Sequence, residues 1–323
     1  MITLANTISS IGFSAKHYED RSPATGIDQD GRMETRSIPI EGPLDLRRTL
    51  QPLHGRFAED GWWLTARTPG GPGSLRIRRT REEVVGEAWG EGSGWLLAHL
   101  GAISGLNDDP SGFETKDPTV SELHRRHLGE RFGRTDLVFD SLVVAVCGQK
   151  VTGGEAAAAR RGLYGTFSDP APGPDDRLKL PPDPERMADA PYWVFHELHL
   201  EKRRADVLRR LAAAEEKIGS LAEVGSAEAA ELLGSFEGVG EWSVAKTLEV
   251  SHGDPDQVAV GDFHFKHMVV HHLTGRDRGT DEEMLELLEP FRPNRGRVIR
   301  LLHHLGHEPK FGPRMSRRDI TRM

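Results

Sequence analysis

Four runs between residues 36 and 100 alternate apolar and polar positions at a period of two: SIPIEGPLDL, GWWLTARTP, SLRIRRT and EVVGEAW. That spacing puts alternate side chains on opposite faces of a strand. It predicts a small antiparallel sheet, with turns at Gly/Pro stretches such as TPGGPG. LDLRRTL interrupts the alternation and predicts a helix. From about residue 117 the period becomes helical. SELHRRHLGERF is amphipathic, with Ser121 as its candidate cap. DLVFDSLVVAVCG is apolar nearly all round, which predicts a buried central helix. Thr152 and Glu155 have the spacing of a capping box that opens EAAAARRGLYGTF. A Pro- and Asp-rich loop is expected over 169–191, and one long helix over EKRRADVLRRLAAAEEK. SAEAAELLGSF, DEEMLELLEPF and RGRVIRLLHHLG predict further helices. The fold class is therefore α+β: a small antiparallel N-terminal domain (36–115), then a mostly helical domain (116–308). Residues 1–35 lack periodicity and read as a flexible leader, and 309–323 as a basic tail.

Composition narrows the chemistry. The chain has 323 residues, enough for two or three domains. It contains no run of 18 apolar residues, so no membrane-spanning helix is expected. The N-terminus lacks the apolar core of a signal peptide, which points to the cytoplasm and the nucleoid. Cys147 is the only cysteine. An intrachain disulfide and a four-cysteine iron–sulfur cluster are both excluded. Net charge is −8, but the arginines are uneven. Arg76, Arg78, Arg79 and Arg81 form one group, and Arg292, Arg295, Arg297 and Arg300 a second. Lys310, Arg314, Arg317, Arg318 and Arg322 form a third. An acidic protein can bind DNA through one basic face, although any single arginine is more simply solvated.

The chemistry concentrates in residues 232–262, LLGSFEGVGEWSVAKTLEVSHGDPDQVAVGD. The pattern is helix end, Gly238-Val239-Gly240 turn, second helix, loop, and Asp262 opening a third helix, FHFKHMVVHHL. Glycines lacking Cβ let backbone N–H groups approach a phosphate, and the following helix adds its N-terminal dipole. A short Gly-x-Gly is by itself also the mark of an ordinary helix C-cap. The longer string, with Leu233, Phe236, Gly238, Val239, Gly240, Trp242, Ser243, Asp254, Gly261 and Asp262, resembles the helix-hairpin-helix and Gly/Pro-rich-loop–Asp motif of the DNA glycosylase superfamily. Residues 36–308 are similar in arrangement to bacterial DNA-3-methyladenine glycosylase II, which implies a helical domain in two lobes.

The resemblance implies a base-excision enzyme acting on double-stranded DNA, as a monomer and without membrane association. It implies that Asp262 is catalytic: a carboxylate beside the sugar stabilises the oxocarbenium formed as a base leaves and orients water. Asp is also a favoured helix N-cap, and both roles are compatible. An alkylated purine already carries positive charge and leaves without prior protonation, so a single acid suffices. Trp242 stands where bifunctional relatives carry a Schiff-base lysine, which implies a monofunctional enzyme with an aromatic wall for the flipped base; core packing is the plainer alternative. Phe263 is a second pocket candidate. Gly238, Val239, Gly240 and Ser243 are implied to hold a phosphate. The hairpin carbonyls are implied to hold Na+ or K+, with no metal on side chains and no other cofactor.

Several positions depart from the pattern. Lys246, one helical turn beyond Trp242, replaces an aromatic. It would repel a cationic base, reach a phosphate, or act as a lyase nucleophile. Lys150, in the turn Gly148-Gln149-Lys150-Val151-Thr152, takes the place of an apolar wedge, or is simply an exposed loop residue. Gln149 and Thr152 are implied to lie near the DNA, and Arg295 either binds phosphate or pairs with an acid. His264, His267, His271 and His272, like His303, His304 and His307, read as solvated or core-edge side chains rather than metal ligands. A catalytically silent damage-binding protein stays open as an alternative, as does a lyase using Lys246.

Overall fold

In a computed structural model, the described residues are the backbone of Gly26–Ile27 and residues 33–306. The expected tail (309–323) and His307 lie outside them, as does most of the expected leader. Six antiparallel strands form one sheet: β1 (Gly26–Ile27), β2 (Met33–Pro39), β3 (Arg56–Ala58), β4 (Gly61–Thr68), β5 (Gly71–Arg79) and β6 (Glu83–Trp89), in the order β1-β2-β6-β5-β4-β3. β1 and the first residues of β2 fall inside the expected leader 1–35. The leader lacks alternation, but β2 pairs along its whole length with β6, from Met33 opposite Trp89 to Pro39 opposite Glu83. Backbone pairing to a neighbouring strand supplies what the side-chain pattern lacks.

The period-two alternation sorts the faces. Trp62, Leu64, Ala66, Leu75, Ile77, Val84 and Ala88 are buried against helices Leu46–Leu50, Ser93–Ala98 and Leu100–Ile103. On the other face Trp63 stacks on Trp89 with ring centroids 5.2 Å apart. Arg76 lies over both rings and pairs with Glu87 and Asp60. Arg78 shares Glu87. Half of the first arginine group is thus tied down by acids on the sheet. The loop after residue 169 covers this face: Thr65 donates to the Lys179 carbonyl and Arg67 to that of Pro181.

The helical part has two cores. One surrounds the buried helix Val138–Cys147, with Leu142, Val146 and Cys147 packed against Leu163, Phe195, Leu208, Leu233 and Leu248. The other joins helix Pro118–Arg126 to the last part of the chain through Val120, Leu123, Met268, Met284, Val298 and Leu302. Caps set the boundaries. Helix Pro118–Arg126 starts before Ser121, because Asp117 accepts from the Val120 amide and Pro118 takes the first turn. Thr152 and Glu155 form the expected capping box. The long helix expected over 201–217 is two, Lys202–Ala212 and Glu215–Gly219. The loop expected over 169–191 contains helix Pro184–Asp189, capped by Asp183.

Candidate active site

Helix Ser226–Gly234, a turn at 235–240 and helix Glu241–Ser251 place the central motif. The two glycines of the turn serve different ends. Gly238 has φ +91°, and a Cβ there would lie 2.3 Å from Val207 Cγ2, so only glycine fits. Gly240 has φ −100° and meets nothing within 4 Å where a Cβ would stand. It is the exposed N-cap residue of a helix that has no side-chain cap. The first amides of that helix are therefore open to an anion.

Around this opening, several expected DNA contacts turn inward. Val239 is buried, and its N–H donates to the Phe236 carbonyl. Ser243 is buried and accepts from Gln149 Nε2 at 2.9 Å; the same amide donates to the Gly238 carbonyl at 2.9 Å. Gln149 thus ties the turn after the buried helix to the hairpin. The Thr152 hydroxyl accepts from the Glu155 amide and donates to the Glu155 carboxylate, which leaves it committed to the cap. Arg295 is bound by Asp256 through Nε–Oδ1 at 3.0 Å and Nη2–Oδ2 at 2.6 Å. That bidentate pair engages the Arg295 guanidinium with an acid of the same chain. Arg297, 4% exposed, pairs likewise with Asp108. Lys150 is exposed at the tip of its turn, with φ +54°, a left-handed conformation costly for a lysine.

Asp262 is gripped from two sides. Its Oδ2 accepts from Trp242 Nε1 at 3.0 Å, and its Oδ1 accepts from the amides of His264 and Phe265 at 2.9 and 3.3 Å. It therefore closes the turn that leads into helix Phe265–Thr274, whose N-cap residue is His264 rather than Asp262. Trp242 lies against Gly148, where a Cβ would stand 3.0 Å from the indole. Its clearest task is to orient the Asp262 carboxylate. The preceding Gly261 amide donates to Asp281 Oδ1, and Lys266 Nζ to Asp281 Oδ2, both at 2.9 Å. Asp281 thus fixes the loop from behind.

A cavity of about 390 Å³ opens between the sheet domain and the helices; Asp262 does not line it, but Ala259 and Phe265, to which Asp262 is hydrogen-bonded, do. The second hairpin helix lines it with Ala245, Lys246 and Glu249, and helix Arg295–Leu302 with Ile299 and Arg300. Arg48 and Gln51 close it from the sheet side, and Phe265 supplies its aromatic surface. Phe263 does not line it: that ring is 62% exposed. The register at the helix start turns position 265, not 263, inward. Lys246 does line it, whereas Trp242, the expected aromatic wall one helical turn before it, does not. Its Nζ donates to Glu249 Oε2, and Arg300 Nη2 donates to Glu249 Oε1 at 2.9 Å. Burial alone would raise the Glu249 carboxyl, but Lys246 and Arg300 outweigh it and hold it at about 2. His54 belongs to the same electrostatic neighbourhood, with φ +62°. Burial, then Arg160 and Lys246, push its imidazole down to about 3. Neither Glu249, Arg300 nor His54 stands out by motif; a histidine in a Pro-Leu-His-Gly turn is the nearest thing to a signal. His304 pairs with Glu130 at 2.6 Å and stacks on His127 with centroids 3.6 Å apart.

No family model matches the chain, and no curated protein does. Solved structures do. The 3-methyladenine DNA-glycosylase from Archaeoglobus fulgidus aligns over 83% of this chain and 97% of its own, with 20% identity and a TM-score of 0.70. The Clostridium acetobutylicum 8-oxoguanine glycosylase/lyase, in complex with double-stranded DNA containing cytosine opposite 8-oxoG, aligns over 87% and 97%, with 13% identity and a TM-score of 0.68. This chain therefore has the fold on which those two DNA glycosylases are built.

Proposed function

We propose that the protein is a base-excision-repair DNA glycosylase, of the helix-hairpin-helix superfamily, that hydrolyses the N-glycosidic bond of a damaged base. One observation carries the reading: a carboxylate held by Trp242 and by the amides of His264 and Phe265 is linked through Phe265 to the lining of a cavity of nucleobase-pocket size. The base is flipped out of the stack into that cavity. Asp262 stabilises the oxocarbenium and orients water, whose hydroxyl adds to C1′ while its proton goes to the departing base. The open amides at Gly240 and the start of its helix hold a backbone phosphate. Lys150, at the tip of its strained turn, takes the space the base vacates. The hairpin carbonyls of Phe236 and Gly238 each accept one protein hydrogen bond, which leaves a second lone pair. That hard-oxygen donor set suits Na+ or K+, whose charge would strengthen the phosphate contact.

The test is release of free bases from defined lesion duplexes by purified protein, quantified by chromatography. Asp262→Asn is expected to lose about 100-fold or more in single-turnover rate, the scale of removing one electrostatic stabiliser. No release from any duplex, or equal release by the variant, overturns the proposal. Tight binding to an abasic analogue without release would favour a silent damage-binding protein. A lyase step at Lys246 is disfavoured, because its nitrogen is engaged by Glu249 and a Schiff base needs a free amine lone pair. Borohydride trapping on abasic DNA is expected to give no adduct.

A further inference from the structure

The wall of the cavity is a row of alternating charge. Lys246 and Arg300 hold the two oxygens of Glu249 between them, so the row carries one net positive charge. On the opposite side Arg48 faces Glu130, which also lines the cavity at 4.0 Å from it, so the net positive charge of the lining is that of the row. None of the three side chains in the row is loose. Arg300 also lies 3.6 Å from the Phe132 ring centroid and donates to the Arg131 carbonyl at 3.2 Å. Lys246 sits over the Phe265 ring at 5.8 Å. Aromatic surface, the feature that attracts a cationic ring, is confined in this cavity to Phe265 and the histidines His303 and His304.

Charge on the leaving group decides what such a wall favours. A cationic alkylated purine leaves as a neutral molecule, and a nearby ammonium raises the cost of binding it. A neutral base takes the electron pair of the C1′–N bond with it. Negative charge then develops on its ring and exocyclic oxygens, and it regains a proton from the attacking water. Fixed cations stabilise that developing charge, more strongly in the transition state than in the ground state.

Resting on the glycosylase reading above, we propose that Lys246, clamped by Glu249 and Arg300, is a specificity-determining residue that selects neutral, oxo-bearing nucleobases over cationic alkylated purines. It acts by hydrogen bonding to an exocyclic oxygen of the flipped base, while Glu249 keeps the ammonium from swinging toward solvent. This reverses the alkylated-purine preference implied by the family resemblance.

The experiment uses full-length protein and duplexes carrying 7-methylguanine, 8-oxoguanine, hypoxanthine or uracil. Single-turnover release is followed for wild type, Lys246→Met, Lys246→Arg and Glu249→Gln, with thermal unfolding to confirm folding. At least one neutral base should leave about 10-fold or more faster than 7-methylguanine. Lys246→Met should lower that rate at least about 10-fold more than it lowers release of 7-methylguanine, and Lys246→Arg should retain it. Glu249→Gln should narrow the preference. The 8-oxoguanine arm against the hypoxanthine and uracil arms separates oxidised from deaminated sources. Faster release of 7-methylguanine than of every neutral base overturns the selection but leaves the glycosylase reading standing. Equal losses on all substrates in Lys246→Met also overturn it, as the mark of a merely structural role. Absence of release from every duplex overturns both.

Discussion

The two halves of helix Glu241–Ser251 are built to opposite rules. At its N-terminal end Gly240 is exposed, no side chain caps the helix, and space stands open beyond the backbone. About two turns on, Lys246 and Glu249 are locked in a row with Arg300 from a distant helix. The first end leaves donors unsatisfied, a state that is tolerable only where solvent or a ligand supplies the partner. The second holds each charged group in a pair while keeping one net positive charge, so its field is fixed before anything binds. On the proposed glycosylase reading, one end of this helix holds a backbone phosphate and the stretch further along forms a preorganised wall for a base.

Substitutions at the two glycines test this contrast, starting with the largest expected effect. Gly238→Ala forces a Cβ to within 2.3 Å of Val207 Cγ2 at positive φ. It should cost about 2 kcal/mol or more in chemical denaturation, by clash and backbone strain together. Asp281→Asn should come next. It weakens the anchor that holds both the Gly261 amide and Lys266. Base release should fall about 10-fold with little change in DNA affinity, since the Asp262 carboxylate itself remains; equal losses in both would reject a positioning role.

Acid separates the halves next. His54 holds its imidazole near 3 in the fold, against about 6.5 in an unfolded chain. As pH falls below about 6.5 the unfolded state takes up a proton that the folded state refuses, so stability declines toward pH 3. Glu249, held at about 2, contributes stability that is complete above about 4.5 and is lost as pH falls toward 2. Unfolding midpoints measured from pH 8 to 3 should hold down to about pH 6.5 and fall below it. His54→Asn, which tolerates the positive φ, should flatten the upper part of that curve, and Glu249→Gln the lower part. The smallest effect on stability belongs to Gly240→Ala. With nothing near its Cβ and an ordinary φ, it should shift stability by less than about 1 kcal/mol. It should nonetheless weaken binding to abasic duplex DNA, because the added methyl stands where a phosphate would approach.

Much of the fold was legible in advance because its causes are local. Alternation in GWWLTARTP and SLRIRRT, the Thr152–Glu155 box and the apolar run around Cys147 each specify an element through near neighbours. That Asp262 would bind backbone amides at the start of the next helix was legible for the same reason, and so was Lys246 lying one turn beyond Trp242. Side-chain destinations were less so. Trp242 serves Asp262 through its N–H, Phe265 replaces Phe263 at the cavity, and Ser243, Gln149 and Arg295 turn inward to partners far away in the chain. Each depends on which surface the neighbouring lobe covers, and no local period encodes that.

The sequence by itself determined the elements, the glycine turn and the acid that follows it, because hydrogen bonds within a few residues and steric limits on φ act before any long-range packing. Only the tertiary structure decided the electrostatics of the cavity. Arg48, His54, Lys246, Glu249 and Arg300 come from segments up to about 250 residues apart, and their charges interact strongly only once folding has brought them together away from water.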